Sequence, residues 1–173
     1  FSTGTITNVT VTNATVTGTD FVGGIVGYNF EGLIDVADLN GVERVETGSI
    51  QDVKVSGSVT GKSYVGGLVG RNAGSIQDAT TSVSVTATGE VGKAGGLVGD
   101  NSGSGTSNTG KIQTAIATGS VSGQQYVGGL VGQNSGGIIR ETFAVGSITG
   151  TGTVGGLVGG VGVAGSGIVE QSY

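Results

Sequence analysis

The sequence predicts an all-β fold of one kind, a parallel β-solenoid (β-helix) in which successive repeats stack as coils. Three observations predict it. A glycine-rich hexapeptide recurs along the chain, apolar and polar residues alternate between its copies, and glycine, which disfavours helices, makes up 39 of 173 residues. One repeat of this size cannot close a core, so neighbours must share it. We expect one domain over residues 1–173, with about five coils, a partial sixth and the right-handed winding that parallel crossovers favour.

The hexapeptide defines the repeat. Its copies read VGGIVG, VGGLVG, AGGLVG, VGGLVG and VGGLVG, and they begin at Val22, Val65, Ala94, Val127 and Val154. The distance between successive copies varies from 27 to 43 residues, a range typical of one supersecondary unit per repeat. The extra length is confined to one point of the period, shortly after the hexapeptide, which predicts loops on one face. The longest is an insertion at residues 30–49.

An asparagine lies two residues after four of the hexapeptides, at Asn29, Asn72, Asn101 and Asn134. These residues allow two interpretations, a ligand-binding array on one edge or a structural ladder. Stacked turns place asparagine where its amide bonds the neighbouring coil and its backbone tolerates a left-handed conformation. We therefore predict the structural ladder.

Period-two alternation predicts a half-buried strand in each repeat. Apolar Val53, Val55 and Val59 alternate with polar Lys54 and Ser58, which places one set in the core and the other in solvent. Equivalent residues of successive repeats should lie over one another, and this predicts a column of Val59, Val85, Val121 and Ile148. The first repeat matches the second only after one residue is skipped, which predicts a β-bulge near Asn13.

Charge and composition exclude several partners. The net charge is −5 and the seven basic residues are scattered, so the phosphates of nucleic acid and anionic lipid have no cationic surface to bind. No apolar run reaches the ~18 residues of a membrane-spanning helix. The chain opens at Phe1 without a signal-peptide pattern, as expected of a mature product or an excised segment.

The residues offer little for catalysis or for binding a metal or cofactor. Histidine and cysteine are absent from the sequence, which excludes imidazole-activated nucleophiles and thiolate metal sites. Asp52, Asp78 and Glu141 fall at or near equivalent strand positions and predict an edge ladder rather than a catalytic pocket. We therefore expect no enzyme activity and no cofactor.

The insertion leaves a calcium site as an alternative. It contains five carboxylates, at Glu31, Asp35, Asp38, Glu43 and Glu46. Their spacing matches no calcium loop. A solvated excursion or a short helix over LIDVADLNGVERV is the favoured interpretation.

Three further patterns allow alternative functions. Phe21, Tyr64 and Tyr126 share a repeat position that could stack on polysaccharide, but Lys93 and Thr153 interrupt it, so we favour packing in the core or at the rim. Ser and Thr at outward strand positions predict two hydroxyl rows that resemble those of ice-binding solenoids, although serine lacks the methyl group of threonine. They are Thr15/Thr17, Ser58/Thr60, Ser84/Thr86, Ser120/Ser122 and Ser147/Thr149. Asn8 and Asn13 fit the N-glycosylation acceptor pattern.

Two segments carry a resemblance to a known family. YVGGLVGRNAGSI (Tyr64–Ile76) and YVGGLVGQNSGGII (Tyr126–Ile139) resemble the GLUG motif, which occurs as tandem repeats in bacterial surface proteins. The resemblance implies adhesin-like and haemagglutinin-like proteins, and non-catalytic regions of some secreted IgA peptidases, in which the repeats are structural. It implies a secreted or cell-surface location and brings no catalytic residue. The chain departs from the motif at Lys93, Thr153 and Gly160.

Two functional hypotheses follow. The first is a structural or adhesive stalk of a cell-surface adhesin or fibre, with surface glycans as candidate ligands. The second is a subunit that assembles head-to-tail with copies of itself by coil stacking. Residues 169–173 align with residues 139–143, and residues 1–7 align with residues 143–149, so one end of the chain starts where the other leaves off. This phase match predicts that coils continue across the boundary, either covalently or by head-to-tail assembly. A competing alignment sets Ile6 on Ile50.

Overall fold

The computed structural model describes residues 4–34, 44–103, 109–162 and 167–173, with backbone alone for 31–34 and 44–47. Strands fill most of these residues, and we number them by coil. The first coil holds β1 (Thr5–Thr17), β2 (Phe21–Gly23) and β3 (Val26–Asn29), and the insertion after it holds β4 (Glu31–Ile34) and β5 (Arg44–Thr47). The second coil holds β6 (Ser49–Gly61), β7 (Tyr64–Gly66) and β8 (Val69–Asn72). The third holds β9 (Ser75–Ala87), β10 (Lys93–Gly95) and β11 (Val98–Ser102).

The later coils have shorter strands. The fourth holds β12 (Lys111–Ala117), β13 (Val121–Gly123), β14 (Tyr126–Gly128) and β15 (Val131–Ser135). The fifth holds β16 (Ile138–Arg140), β17 (Phe143–Ala144), β18 (Ile148–Gly150), β19 (Thr153–Gly155) and β20 (Val158–Val161). A partial sixth coil holds β21 (Ile168–Glu170).

Three parallel sheets run through the stack. The first has the order β1-β6-β9-β12-β16-β21, the second β19-β14-β10-β7-β2 and the third β20-β15-β11-β8-β3. Every neighbour in these sheets is the equivalent strand of the adjacent coil, and all of them pair in parallel. The prediction of an all-β parallel solenoid is confirmed. No helix in the described residues is long and apolar enough to cross a membrane.

Strand β1 carries the predicted bulge. Val11 pairs with Val55 and Ala14 with Gly57, so two residues of β1 lie opposite one of β6. Asn13, inside this irregularity, has a φ of 56°. Ile6 pairs with Ile50, so the alignment of residues 1–7 with 143–149 is wrong. The apolar column sets this register, because a slip would carry inward side chains to the solvent face.

The core consists of apolar columns parallel to the coil axis. Val59 pairs with Val85, Val85 with Val121, and Val121 with Ile148, with the three valines buried and Ile148 half-buried. The hexapeptide contributes three inward residues per coil, so its side chains do not follow a period of two. In the second coil these are Val65, Leu68 and Val69, each fully buried.

The hexapeptide glycines are required because coils approach closely there. A Cβ on Gly96 would overlap the carbonyl oxygen of Gly129 in the next coil. A Cβ on Gly95 would overlap the carbonyl oxygen of Val98 in its own coil and would lie 2.7 Å from the backbone nitrogen of Gly132 in the next coil. Gly156, the equivalent of Gly96 in the fifth coil, has nothing within 4 Å of its Cβ position. The glycines thus allow backbone of one coil to lie directly against backbone of the next.

In every coil, one residue with a left-handed backbone conformation bends the first sheet, and we call this position the left-handed corner. These residues are Asn8, Asp52, Asp78, Thr114, Glu141 and Gln171, with φ between 48° and 56°. All are exposed and occupy equivalent positions between paired residues. Asparagine and aspartate tolerate this conformation well, whereas a β-branched residue such as Thr114 is strained in it. The column places Asp52 and Asp78 side by side on adjacent coils.

The insertion begins and ends as a β-hairpin rather than a helix. β4 and β5 pair antiparallel, with Leu33 opposite Val45. The helix expected over 33–45 is therefore wrong at both ends, because the insertion leaves and re-enters the solenoid at neighbouring points and its two arms can pair. Residues 35–43, with Asp35, Asp38 and Glu43, lie outside the described residues, so the calcium alternative stays open.

Candidate functional site

Four buried asparagines form a continuous hydrogen-bonded column, here called the asparagine ladder: Asn29, Asn72, Asn101 and Asn134. Each of the first three donates from Nδ2 to the Oδ1 of the next, at 2.8, 2.8 and 3.0 Å. Each Nδ2 also donates to a backbone carbonyl at the start of the following turn, those of Gly48, Gly74, Gly110 and Gly137, at 2.7 to 3.3 Å. Asn72 and Asn101 therefore use both amide hydrogens and the amide oxygen.

The ladder has a direction. All three amide-to-amide bonds run the same way, from the Nδ2 of one coil to the Oδ1 of the coil that follows it toward the C-terminus. In the fifth coil the equivalent residue is Val161, which cannot continue the chain of bonds. The ladder asparagines are not the residues with positive φ, so the left-handed backbone expected of them is wrong. Their side chains, rather than their backbone, account for asparagine at this position.

Two outward columns lie side by side where the second sheet meets the third, and we call them the rim columns. The first is Phe21, Tyr64, Lys93, Tyr126 and Thr153, and the second is Tyr28, Arg71, Asp100, Gln133 and Gly160. Residues of the two columns touch within a coil: Phe21 stacks on Tyr28 with centroids 5.4 Å apart, and Lys93 Nζ lies 3.0 Å from Asp100 Oδ1.

In the rim columns, the faces of the aromatic rings contact other rings and the cationic side chains of the same columns. Phe21 and Tyr64 stack with centroids 4.9 Å apart and an interplanar angle of 20°. The ammonium of Lys93 lies 4.8 Å from the Tyr64 centroid, and the guanidinium of Arg71 lies 5.4 Å from that of Tyr28. A sugar needs a free ring face to stack, so this arrangement favours rim packing over a polysaccharide platform.

Asp100 is the best buried charge among the described residues. It is 3% exposed, and its carboxylate pairs with Lys93 at 3.0 Å and Arg71 at 3.5 Å. Ser135 donates to it from the next coil at 2.8 Å. Sequence reasoning missed this cluster. The available signal was its place one residue before a ladder asparagine, opposite Arg71 in the preceding coil.

Thr81 places a hydroxyl inside the apolar core. It is fully buried in the column of Val55 and Ala117, and its Oγ1 donates to the carbonyl of Gly96 at 2.8 Å. The hydrogen bond satisfies the hydroxyl. Threonine therefore serves here as a shape-compatible substitute for valine.

The two hydroxyl rows lie on the outer face of the first sheet. Register pairs Thr17 with Thr60, Thr60 with Thr86, Thr86 with Ser122 and Ser122 with Thr149. Hydroxyls bond one another across coils, Ser120 to Ser84 and Ser122 to Thr86, both at 3.3 Å. The rows are regular, but these internal bonds reduce the hydroxyls available to order water.

The two asparagines that fit the glycosylation pattern lie on β1, and both are exposed. Asn8 belongs to the left-handed corner and Asn13 to the bulge, with φ of 56° at each. The backbone N–H of Asn13 donates to Ser56 Oγ at 3.3 Å. Asparagine is favoured at such positions for conformational reasons alone. Glycosylation stays a prediction.

Within the described ranges, no group of three or more carboxylates gathers at one place. Asp52, Asp78 and Glu141 occupy the left-handed corner and face solvent. A groove of about 510 Å³ lies beside this corner, lined by Thr114, Glu141, Phe143, Gln171 and Tyr173 among others. Among the described residues of its lining, Glu141 is the only one with an acidic side chain.

The model of the GLUG motif matches the chain twice, at residues 61–86 and 123–149. Each match begins near the rim columns, contains one hexapeptide and one ladder asparagine, and ends in the hydroxyl rows, so the motif corresponds to about one coil. No curated protein and no solved structure matches the chain. The chain therefore contains a GLUG-motif repeat region, folded as stacked coils of a parallel β-solenoid.

Proposed function

We propose that this chain is a non-catalytic structural segment of an extracellular protein, the β-solenoid stalk of a surface adhesin or fibre. The observation that carries the proposal is the asparagine ladder, which joins four successive coils through buried hydrogen bonds. Each coil contacts its neighbours through equivalent residues, so length grows by about 4.8 Å per coil while the cross-section stays constant. A spacer requires this property.

The use of polar and aromatic groups supports the same role. Asn101 bonds both adjacent coils, and Asp100 joins Arg71 of the preceding coil to Ser135 of the next. The Phe21 and Tyr64 rings stack between coils. Groups that would otherwise recognise a ligand thus hold the stack together. An adhesive role would involve exposed surface outside these columns, with surface glycans as the ligand class.

The extracellular part of the proposal rests on the GLUG motif and on the acidic, weakly charged composition. Immunolabelling of intact source cells, with permeabilised cells as the control, tests it. Labelling of intact cells is expected. A signal that needs permeabilisation would place the protein inside the cell and refute the location.

The spacer property has a direct test. Three extra copies of residues 111–137, inserted after Gly137, should fold as three additional coils of the solenoid. Small-angle scattering should then show a maximum dimension about 14 Å larger, at ~4.8 Å per coil, with an unchanged cross-sectional radius. Loss of the β signal in far-UV circular dichroism, or growth of the cross-section, would refute the role of spacer.

A further inference from the structure

The first coil forms one end of the described stack, and its outer surface, here called the N-face, is made of β1, β2 and β3. Its apolar residues Ile6, Val9, Val11 and Val16 pack on the core from one side and are half-buried. Interior equivalents such as Val53 and Val59 are fully buried. Within the described residues, β1, β2 and β3 each lie at the edge of a parallel sheet, and such edges can pair with further strands.

The ladder gives the N-face a polar recognition element. Asn29 donates to Asn72 and to Gly48, but its Oδ1 accepts no hydrogen bond from the described part of the chain. In the ladder asparagines of the next three coils, this same atom accepts from the preceding coil. A cavity of about 170 Å³ opens beside Asn29, lined by Ile6, Val26 and Ile50 among others. The N-face thus combines an apolar hollow with one amide acceptor.

The last coil of this chain does not complement that surface. Its ladder residue is Val161, which has no donor for Asn29 Oδ1. Its rim residues are Thr153 and Gly160, so it has no ring to stack on Phe21, which is 41% exposed.

We infer that the N-face is a docking surface for another GLUG-type coil, one that carries asparagine at the ladder position. The donor Nδ2 of that asparagine would bond Asn29 Oδ1 and extend the ladder in its existing direction. A coil with valine at the ladder position would bury Asn29 Oδ1 without a hydrogen-bond donor, which is unfavourable. The inference rests on the proposed structural role and adds to it a rule for which coil can precede which.

The test adds one coil to the complete chain. A copy of residues 111–135 is placed before Phe1, in one version with its ladder asparagine and in a matched version with Asn134→Val in the copy. Hydrogen exchange of the β1 amides measures whether the coil docks. We expect the asparagine version to protect these amides at least about tenfold more than the valine version, because valine leaves a buried acceptor unbonded.

Three results would overturn the inference. Equal protection by both versions would mean that the ladder does not select the coil, and no added protection by either would mean that the N-face accepts none. Concentration-dependent head-to-tail association of the unextended chain in sedimentation would make a second copy the occupant. The proposed function is tested separately, because the three coils inserted after Gly137 leave the N-face untouched.

Discussion

Replacement of Asn101 by alanine removes the centre of the asparagine ladder. Asn101 is fully buried and makes three hydrogen bonds, accepting from Asn72 and donating to Gly110 and Asn134. Each bond contributes about 1 kcal/mol net, and a buried partner left without a bond costs about 1–3 kcal/mol. The substitution leaves three such partners. At about 1 kcal/mol or more for each partner, we expect the free energy of unfolding to fall by at least about 3 kcal/mol.

Urea denaturation followed by far-UV circular dichroism measures this change, with the slope compared to exclude a change in the denatured state. Gln133→Ala is the matched control, because this half-exposed amide lies on the neighbouring strand and should change stability by no more than about 0.5 kcal/mol. Asn29→Ala removes two hydrogen bonds at the end of the ladder. Its loss of unfolding free energy should lie between those of Asn101→Ala and Gln133→Ala. A loss below about 1 kcal/mol for Asn101→Ala would refute the structural importance of the ladder.

Three other predictions follow from the packing, and the midpoint of urea unfolding measures each of them. Gly96→Ala should destabilise by at least about 2 kcal/mol because its Cβ meets the next coil, whereas Gly156→Ala should be neutral or slightly stabilising; equal effects would refute the glycine argument. Thr81→Val should change stability by less than about 1 kcal/mol, and a larger loss would give its hydroxyl a greater role. Asp100→Ala should cost about 1–3 kcal/mol, and Glu170→Ala, in an exposed ion pair, under about 1 kcal/mol; the reverse order would contradict the burial argument.

Periodicity alone was sufficient to predict the columns. Equivalent positions repeat in the sequence, so the stacking of Val59 on Val85 and the bulge near Asn13 followed from alignment of one repeat with another. The choice between two registers for residues 1–7 was harder. Both kept glycine and isoleucine in phase, and only the pairing of Ile6 with Ile50 decided between them.

Contacts between different columns could not be predicted in this way. Asp100 meets Lys93 from a second column and Arg71 from another coil, and neither contact follows from a one-dimensional period. The insertion was misjudged for a related reason. Local composition at Leu33 favoured a helix, but the closeness of the two points of attachment allowed β4 to pair with β5.

The position of the ladder has a consequence for how such a molecule can diversify. β3 and β8 end at Asn29 and Asn72, and the next long strands begin at Ser49 and Ser75, so the connecting segments differ greatly in length. Both asparagines nevertheless keep the same amide-to-carbonyl bond to a glycine just before that strand. The bond from asparagine to glycine therefore closes the turn whatever the length of the connecting segment. Insertions at this point of the repeat can lengthen the outer loop without changing the packing of the core.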